Sequence, residues 1–160
     1  MTIGTRLSTH YRSKTLAAWL TLTLGALGLH RLYLHGRRDR LAWAYPLPTL
    51  LGLAGVQRLR ALGQDDMLAW LLIPLLGLML SLASLTAIVY ALTPDEKWDA
   101  RHNPGQPVQA TGWGPVLAAI LALLLGGAAF MGTMAYGGQK FFEWQMAAPV
   151  AGAQASGSMG

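Results

Sequence analysis

Cysteine is absent from the 160-residue chain, which excludes disulfides, thiolate metal sites and cysteine nucleophiles together. Charge is scarce as well. Asp, Glu, Lys and Arg make up 12% of the residues, against about a quarter in ordinary globular proteins. Acid/base chemistry therefore has few places to sit. The paired carboxylates Asp65-Asp66 and Asp95-Glu96 both fall at predicted helix starts, where negative charge is expected to complement the helix dipole. Ser81 and Ser84 lie in an apolar run with no base nearby in sequence. No phosphate-binding or dinucleotide glycine pattern occurs, and Gly126-Gly127 and Gly137-Gly138 read as packing positions or helix ends. His30 and His35 are five residues apart and do not share a helix face, so no metal site is expected. The chain is read as a non-enzyme with no cofactor.

What is present is apolar sequence in long blocks. Hydrophobic residues are 53% of the chain, and a polypeptide this short has too little polar surface to bury such runs in water. The expected class is an all-α integral membrane protein. The net charge of +5 comes mostly from Arg beside apolar segments, where basic residues anchor spans at lipid headgroups. A continuous basic face of the kind nucleic-acid binding requires is missing. The basic leader Arg6, Arg12 and Lys14 before an apolar core mimics a secretory signal, but no Ala-x-Ala site follows it, so the segment is expected to stay as the first span.

Taken in order, residues 15–34 predict a first span ending in Gly25-Ala-Leu-Gly28-Leu-His30-Arg31-Leu-Tyr33-Leu-His35-Gly36. In it, Thr21 and Thr23 are expected to bond carbonyls one turn earlier. Pro46 and Pro48 forbid one helix over residues 41–58 and predict an interfacial piece over 38–45, then a helix starting near Pro46 or Pro48 and running to about Leu62. Residues 67–92 are uncharged, about 26 residues long, and form the clearest span. Thr93-Pro-Asp-Glu predicts a short helix to about His102, broken by Asn103-Pro-Gly105, with Trp98 against the membrane surface. A last span is expected over 114–136, followed by an amphipathic interfacial end over 139–146. The composition of 147–160 predicts a disordered tail.

The expected architecture is four membrane helices as two hairpins with short interfacial helices. Its parts are a hairpin domain over 1–62, a second hairpin over 63–146 with a polar loop over 93–112, and the tail. Both termini then fall on one side. Arg6, Arg12, Lys14, Arg58, Arg60 and Lys140 on that face balance Arg31, Arg37, Arg38, Arg40, Lys97 and Arg101 on the other, so positive charge does not orient the chain. The basic leader favours termini inside.

The pattern Lys14, Gly25-x-x-Gly28-x-His30-Arg31-x-Tyr33-Leu34, with Gly52 and Gly55 in a return helix, resembles the TM-two domain family over residues 13–60. Leu32 and His35 stand where that pattern has Phe and Gly. The resemblance implies a two-helix transmembrane hairpin and no particular activity. The tip residues His30, Arg31, Tyr33, Arg37 and Arg38, with Trp98 of the polar loop, are the candidate surface for a membrane-protein partner or anionic lipid. Gly25, Gly28, Gly52, Gly55, Ala83, Ala87, Ala118, Ala122 and Gly126 are the candidate helix-packing positions. The expected role is an accessory or interaction subunit of a larger complex or homo-oligomer, multi-pass in a bacterial inner membrane. A small transporter or channel formed by an oligomer is the alternative.

Overall fold

The computed structural model describes residues 11–36 and 39–157, with side chains described as far as Met146. Among these residues every regular element is helical: α1 (Lys14–Leu24), a single 3₁₀ turn (Gly25–Leu27), α2 (Leu29–His35), α3 (Arg40–Ala44), α4 (Pro46–Leu62), α5 (Met67–Leu92), α6 (Asp95–His102) and α7 (Gly114–Gly157). Local signals explain most of the boundaries. The Ser13 hydroxyl caps α1 and Asp39 caps α3. Proline occupies the first position of α4, whose end is marked by Gly63 at φ 86°. Asp95 and Glu96 open α6, and Arg101 and His102 close it.

Two helices are long and apolar enough to cross a membrane, Met67–Leu92 and Gly114–Met146, with mean hydropathies of 2.3 and 2.2. Only 17% and 22% of their most apolar stretches are buried within the chain. A core helix of a soluble protein would be mostly buried; these display their leucines outward.

The expectation of four such helices is corrected to two. The first predicted span breaks at its glycines: α1 gives way to the 3₁₀ turn, and Gly28 at φ 77°, ψ 7° reverses the chain. The return arm α2 then climbs back along α1, so that the Tyr33 hydroxyl accepts from Ser13 N at 3.0 Å and Leu34 packs on Ala17. Two of the carbonyls at the break find partners. Gly28 N donates to Gly25 O at 2.9 Å and the Thr49 hydroxyl donates to Ala26 O at 2.6 Å. Thr21 and Thr23 bond Ala17 O and Trp19 O one turn back, as expected.

Helix α5 is the axis of the molecule, packed by α7, α4 and α1. The elements α1 and α4 share it end to end. Gly25 meets Ala83 in the C-terminal half of α5, while Gly52 and Gly55 meet Leu76 and Leu72 in the N-terminal half. Helix α7 runs antiparallel to α5, with Gly126 on Ser84 and Thr133 on Gly77. Ala83, Ala87, Ala91, Ala118 and Ala122 are all buried, and Ala18, Ala91 and Ala118 form one cluster. The small-residue stripes therefore close the molecule's own helix contacts.

Two further expectations are corrected. Helix α7 does not stop near Tyr136 but runs through Gly137-Gly138 and on to Gly157, so residues 147–157 are helical where composition predicts disorder. Alanine is the strongest helix former, and five of these eleven residues are alanine, continuing a helix already nucleated upstream. Residues 11 and 146 also lie at opposite ends of the bundle rather than the same end. Lys14 sits beside Thr93 at the C-terminal end of α5, whereas Lys140 reaches Gln64 at the N-terminal end.

Candidate functional site

Most of the described polar side chains gather at the end of the bundle where α5 finishes. There the segment 11–14 crosses over α6 and the following loop. The Trp98 indole and the Asn103 amide both donate to Arg12 O, at 2.8 and 3.2 Å, and Asn103 Oδ1 accepts from Arg12 N at 2.8 Å. Asp99, only 2% exposed, accepts from the Tyr11 hydroxyl at 2.9 Å, the Asn103 amide at 2.7 Å and Gln109 N at 2.9 Å. Lys14 Nζ donates to Thr93 O at 2.9 Å and pairs with Asp95, whose carboxylate also accepts from Thr111 N and Oγ1 at 2.8 and 2.6 Å.

These bonds set the protonation states. Burial raises the pKa of Asp95, but hydrogen bonds from Lys14 and Thr111 more than offset it, leaving the carboxyl at about 2. Asp99 is likewise lowered against the pull of burial, by bonds from Gln109, Asn103 and Tyr11. Burial, then the bond to Asp99, pushes the Tyr11 hydroxyl up to about 12.

A stability consequence follows for Asp95. Its folded pKa lies below the unfolded value of 3.8, so its stabilisation is complete above about pH 4 and is lost as pH falls toward 2. Between pH 6 and pH 3 the thermal midpoint of the detergent-solubilised protein should fall, with Asp95 contributing about 1–2 kcal/mol. Asp95→Asn should flatten that slope while lowering stability at pH 6. A slope unchanged by the substitution would contradict the assignment.

The predicted partner or lipid surface is not laid out as expected. His30 is 1% exposed, edge-on to Tyr45 at 5.6 Å and 6.2 Å from Tyr90, with no hydrogen-bond partner for Nδ1 among the described residues. Arg31 Nε donates to Asp39 Oδ2 at 2.8 Å, and its guanidinium lies 5.9 Å from the Tyr45 ring centre. The Tyr33 hydroxyl is taken by Ser13. Trp98, expected at the membrane surface, is 2% exposed in the cluster of Ala17 and Leu34. The physical reason is the break at Gly28, which turns the tip residues inward onto α5 and α6. Arg37 and Arg38 lie outside the described residues.

Asp95, Asp99, Asn103 and Tyr11 are what sequence reasoning missed. The bonds that tie them across the chain span 81 to 91 positions, Lys14–Asp95, Tyr11–Asp99 and Arg12–Asn103, and the one local hint was that a short acidic helix carried a tryptophan. Elsewhere, Asp66 holds Arg58 through two bonds of 2.7 and 3.1 Å, and Glu143 pairs with Lys140 at 2.7 Å. No group of His, Asp and Glu suited to a metal ion occurs among the described residues.

Compared with family models, curated proteins and solved structures, the chain matches none.

Proposed function

We propose that the chain is a multi-pass membrane protein, in a bacterial inner membrane, that acts as a non-enzymatic interaction subunit of a larger complex or of a homo-oligomer. The observation that supports this reading is how the carboxylates are used. Asp95 and Asp99 accept from Lys14 and Tyr11 of the N-terminal segment and from Asn103, Gln109 and Thr111 of the loop that follows α6, Asp39 and Asp66 hold arginines, and these polar groups go into holding the shape of the molecule.

Beside the two span-length helices, α3 and α4 together give a third path between the two ends. Residues 40–62 rise about 35 Å, enough for a bilayer core, whereas α1 and α2 reach only to mid-depth and return. In this reading the chain makes three crossings and one re-entrant hairpin, the break in it tolerated because protein surrounds it. Arg12, Lys14, Arg31, Arg40, Lys97 and Arg101 then lie on one side, against Arg58, Arg60 and Lys140 on the other, a bias that supports a cytoplasmic side for the polar cap.

The surface offered for docking is the outer side of α7, where Gly127 and Gly138 would meet nothing if given a Cβ and stand among exposed Leu124, Met131 and Met134. Small residues in such a setting allow a second helix to approach closely. Because native cysteine is absent, single cysteines report without background. Ala110→Cys and Gln64→Cys should react with an impermeant maleimide from opposite sides of the membrane. Gly127→Cys and Gly138→Cys should form oxidative cross-links in native membranes, while Leu71→Cys, an exposed position on α5, should not. Labelling of both loops from one side would sink the three-crossing topology. Equal cross-linking at Leu71 would sink the docking face, and ion flux in liposomes would favour the pore reading.

A further inference from the structure

Beside the polar cap lies a cleft of about 600 Å³ between the end of α2, the last turn of α5 and helix α6. Two cations and two histidines mark its rim. His35 projects from α2, Lys97 and Arg101 stand one turn apart on α6, and His102 stacks on Trp98 at 4.1 Å between ring centres. No acidic residue lines it. The nearest acids are engaged or turned elsewhere: Asp39 holds Arg31 and lies 4.0 Å from His35 Nδ1, while Asp95 holds Lys14. Glu96 adjoins Lys97 in sequence without lining the cleft. Lys97 and Arg101 are exposed and, unlike Lys14 and Arg31, enter no ion pair among the described residues.

The opposite wall is apolar and aromatic, made by Val89 and Tyr90 of α5 with Pro94. Val89 and its neighbour Leu92 face outward from the bundle, on a helix with the length and composition to cross a bilayer. Cations at a helix end, a tyrosine at the same depth and an apolar flank below them suit a molecule with an anionic head and a hydrocarbon tail.

We propose that this cleft binds the phosphate-bearing headgroup of an anionic phospholipid, with Lys97 and Arg101 pairing the phosphate and the outer side of α5 at Val89 and Leu92 receiving an acyl chain. The site is separate from the docking face on α7 and shares only Trp98 with the partner or lipid surface that the sequence nominated.

The test uses the full-length protein in detergent, stripped of lipid and examined by native mass spectrometry with phosphatidylglycerol or phosphatidylcholine of matched chains. Phosphatidylglycerol should bind about twenty-five-fold more tightly, a factor of about five for each of the two cations. Removing one surface cation weakens such attraction by about fivefold, so Arg101→Gln should lose that much affinity, and the double variant K97Q/R101Q should fall to the phosphatidylcholine level. Arg60→Gln, at the other end of the bundle, should change nothing. A photoactivatable phosphatidylglycerol analogue should attach to the unmodified protein within residues 89–102, a readout independent of whether the variants fold. Attachment elsewhere, or an unchanged preference in a K97Q/R101Q protein with a normal thermal midpoint, overturns the proposal. Inorganic phosphate binding as tightly as the lipid and displacing it would assign the cleft to a free anion and overturn the lipid assignment too.

Discussion

Gly28→Val should be the most damaging single change in the first third of the chain. The residue sits at φ 77°, a conformation in which a side chain costs about 1–2 kcal/mol, and a β-branched one more. Space compounds the problem. A Cβ there would lie 2.7 Å from Ala42 O and 2.7 Å from Tyr45 Cβ, so backbone and side chain of the next element must both move, at a further cost of about 1–3 kcal/mol. The expected loss is about 2–5 kcal/mol, read as a lowered thermal midpoint in detergent. Because Gly28 is the reversal point, the damage should spread: Tyr33 and Ser13 should separate, and Trp98 fluorescence should shift red as its cover of Ala17 and Leu34 is withdrawn. Gly36 and Gly63 also have positive φ but nothing within 4 Å of a Cβ, so alanine at either should cost much less. Comparable losses at all three positions would show that backbone conformation alone, and not the close approach of α3, governs the site.

Asp99→Leu is the second large effect. The substitution keeps the branched shape of the side chain but puts larger methyl groups where two oxygens were, so overpacking adds about 1 kcal/mol or more to the loss at this buried site. It strips a buried acceptor from the Tyr11 hydroxyl, the Asn103 amide and Gln109 N at once. Hydrogen bonds to a charged group contribute about 1.5–3 kcal/mol each when the partners stay buried, and some of these donors will find water, so about 3 kcal/mol is expected from the lost bonds. Amide exchange should locate the loss, accelerating at Arg12 and Gln109 and leaving the α4–α5 contact at Gly52 and Leu76 untouched. The Tyr11 hydroxyl should also titrate closer to 10, since burial and Asp99 together raise it. Asp99→Leu with unchanged exchange at Gln109 would mean that the loop is held by something other than this carboxylate.

The elements whose limits depend on neighbours in sequence were legible in advance. Pro46 starts α4, Asn103-Pro-Gly105 ends α6, and the uncharged stretch from Met67 to Leu92 is α5 to the residue. A proline or a cap acts within one turn, so its signature is local. The candidate site fared worse. Gly25 and Gly28 inside an apolar run look the same whether a helix packs closely there or ends there, and only the presence of Ala83, Thr49 and Ala42 around them decides for an end. Arg31 looks available for a phosphate until Asp39 is placed beside it. Trp98 has the composition of an interfacial anchor, yet its indole is covered because residues 11–13, which carry no pattern of their own, lie across it. Contacts over such separations come from the fold, and nothing in a window of eighteen residues encodes them.

The end-to-end seating of α1 and α4 on α5 has a bearing on synthesis. Leu62 leaves the ribosome before the surface that Gly25, Gly52 and Gly55 fit against has emerged. Until Met67–Leu92 follows, the half-length hairpin has exposed glycine backbone and no neighbour to shelter it, so a nascent chain arrested with Leu62 just outside the ribosome should stay accessible to protease and one arrested with Leu92 well outside should not. Maturation of the leading third waits on the helix that follows it.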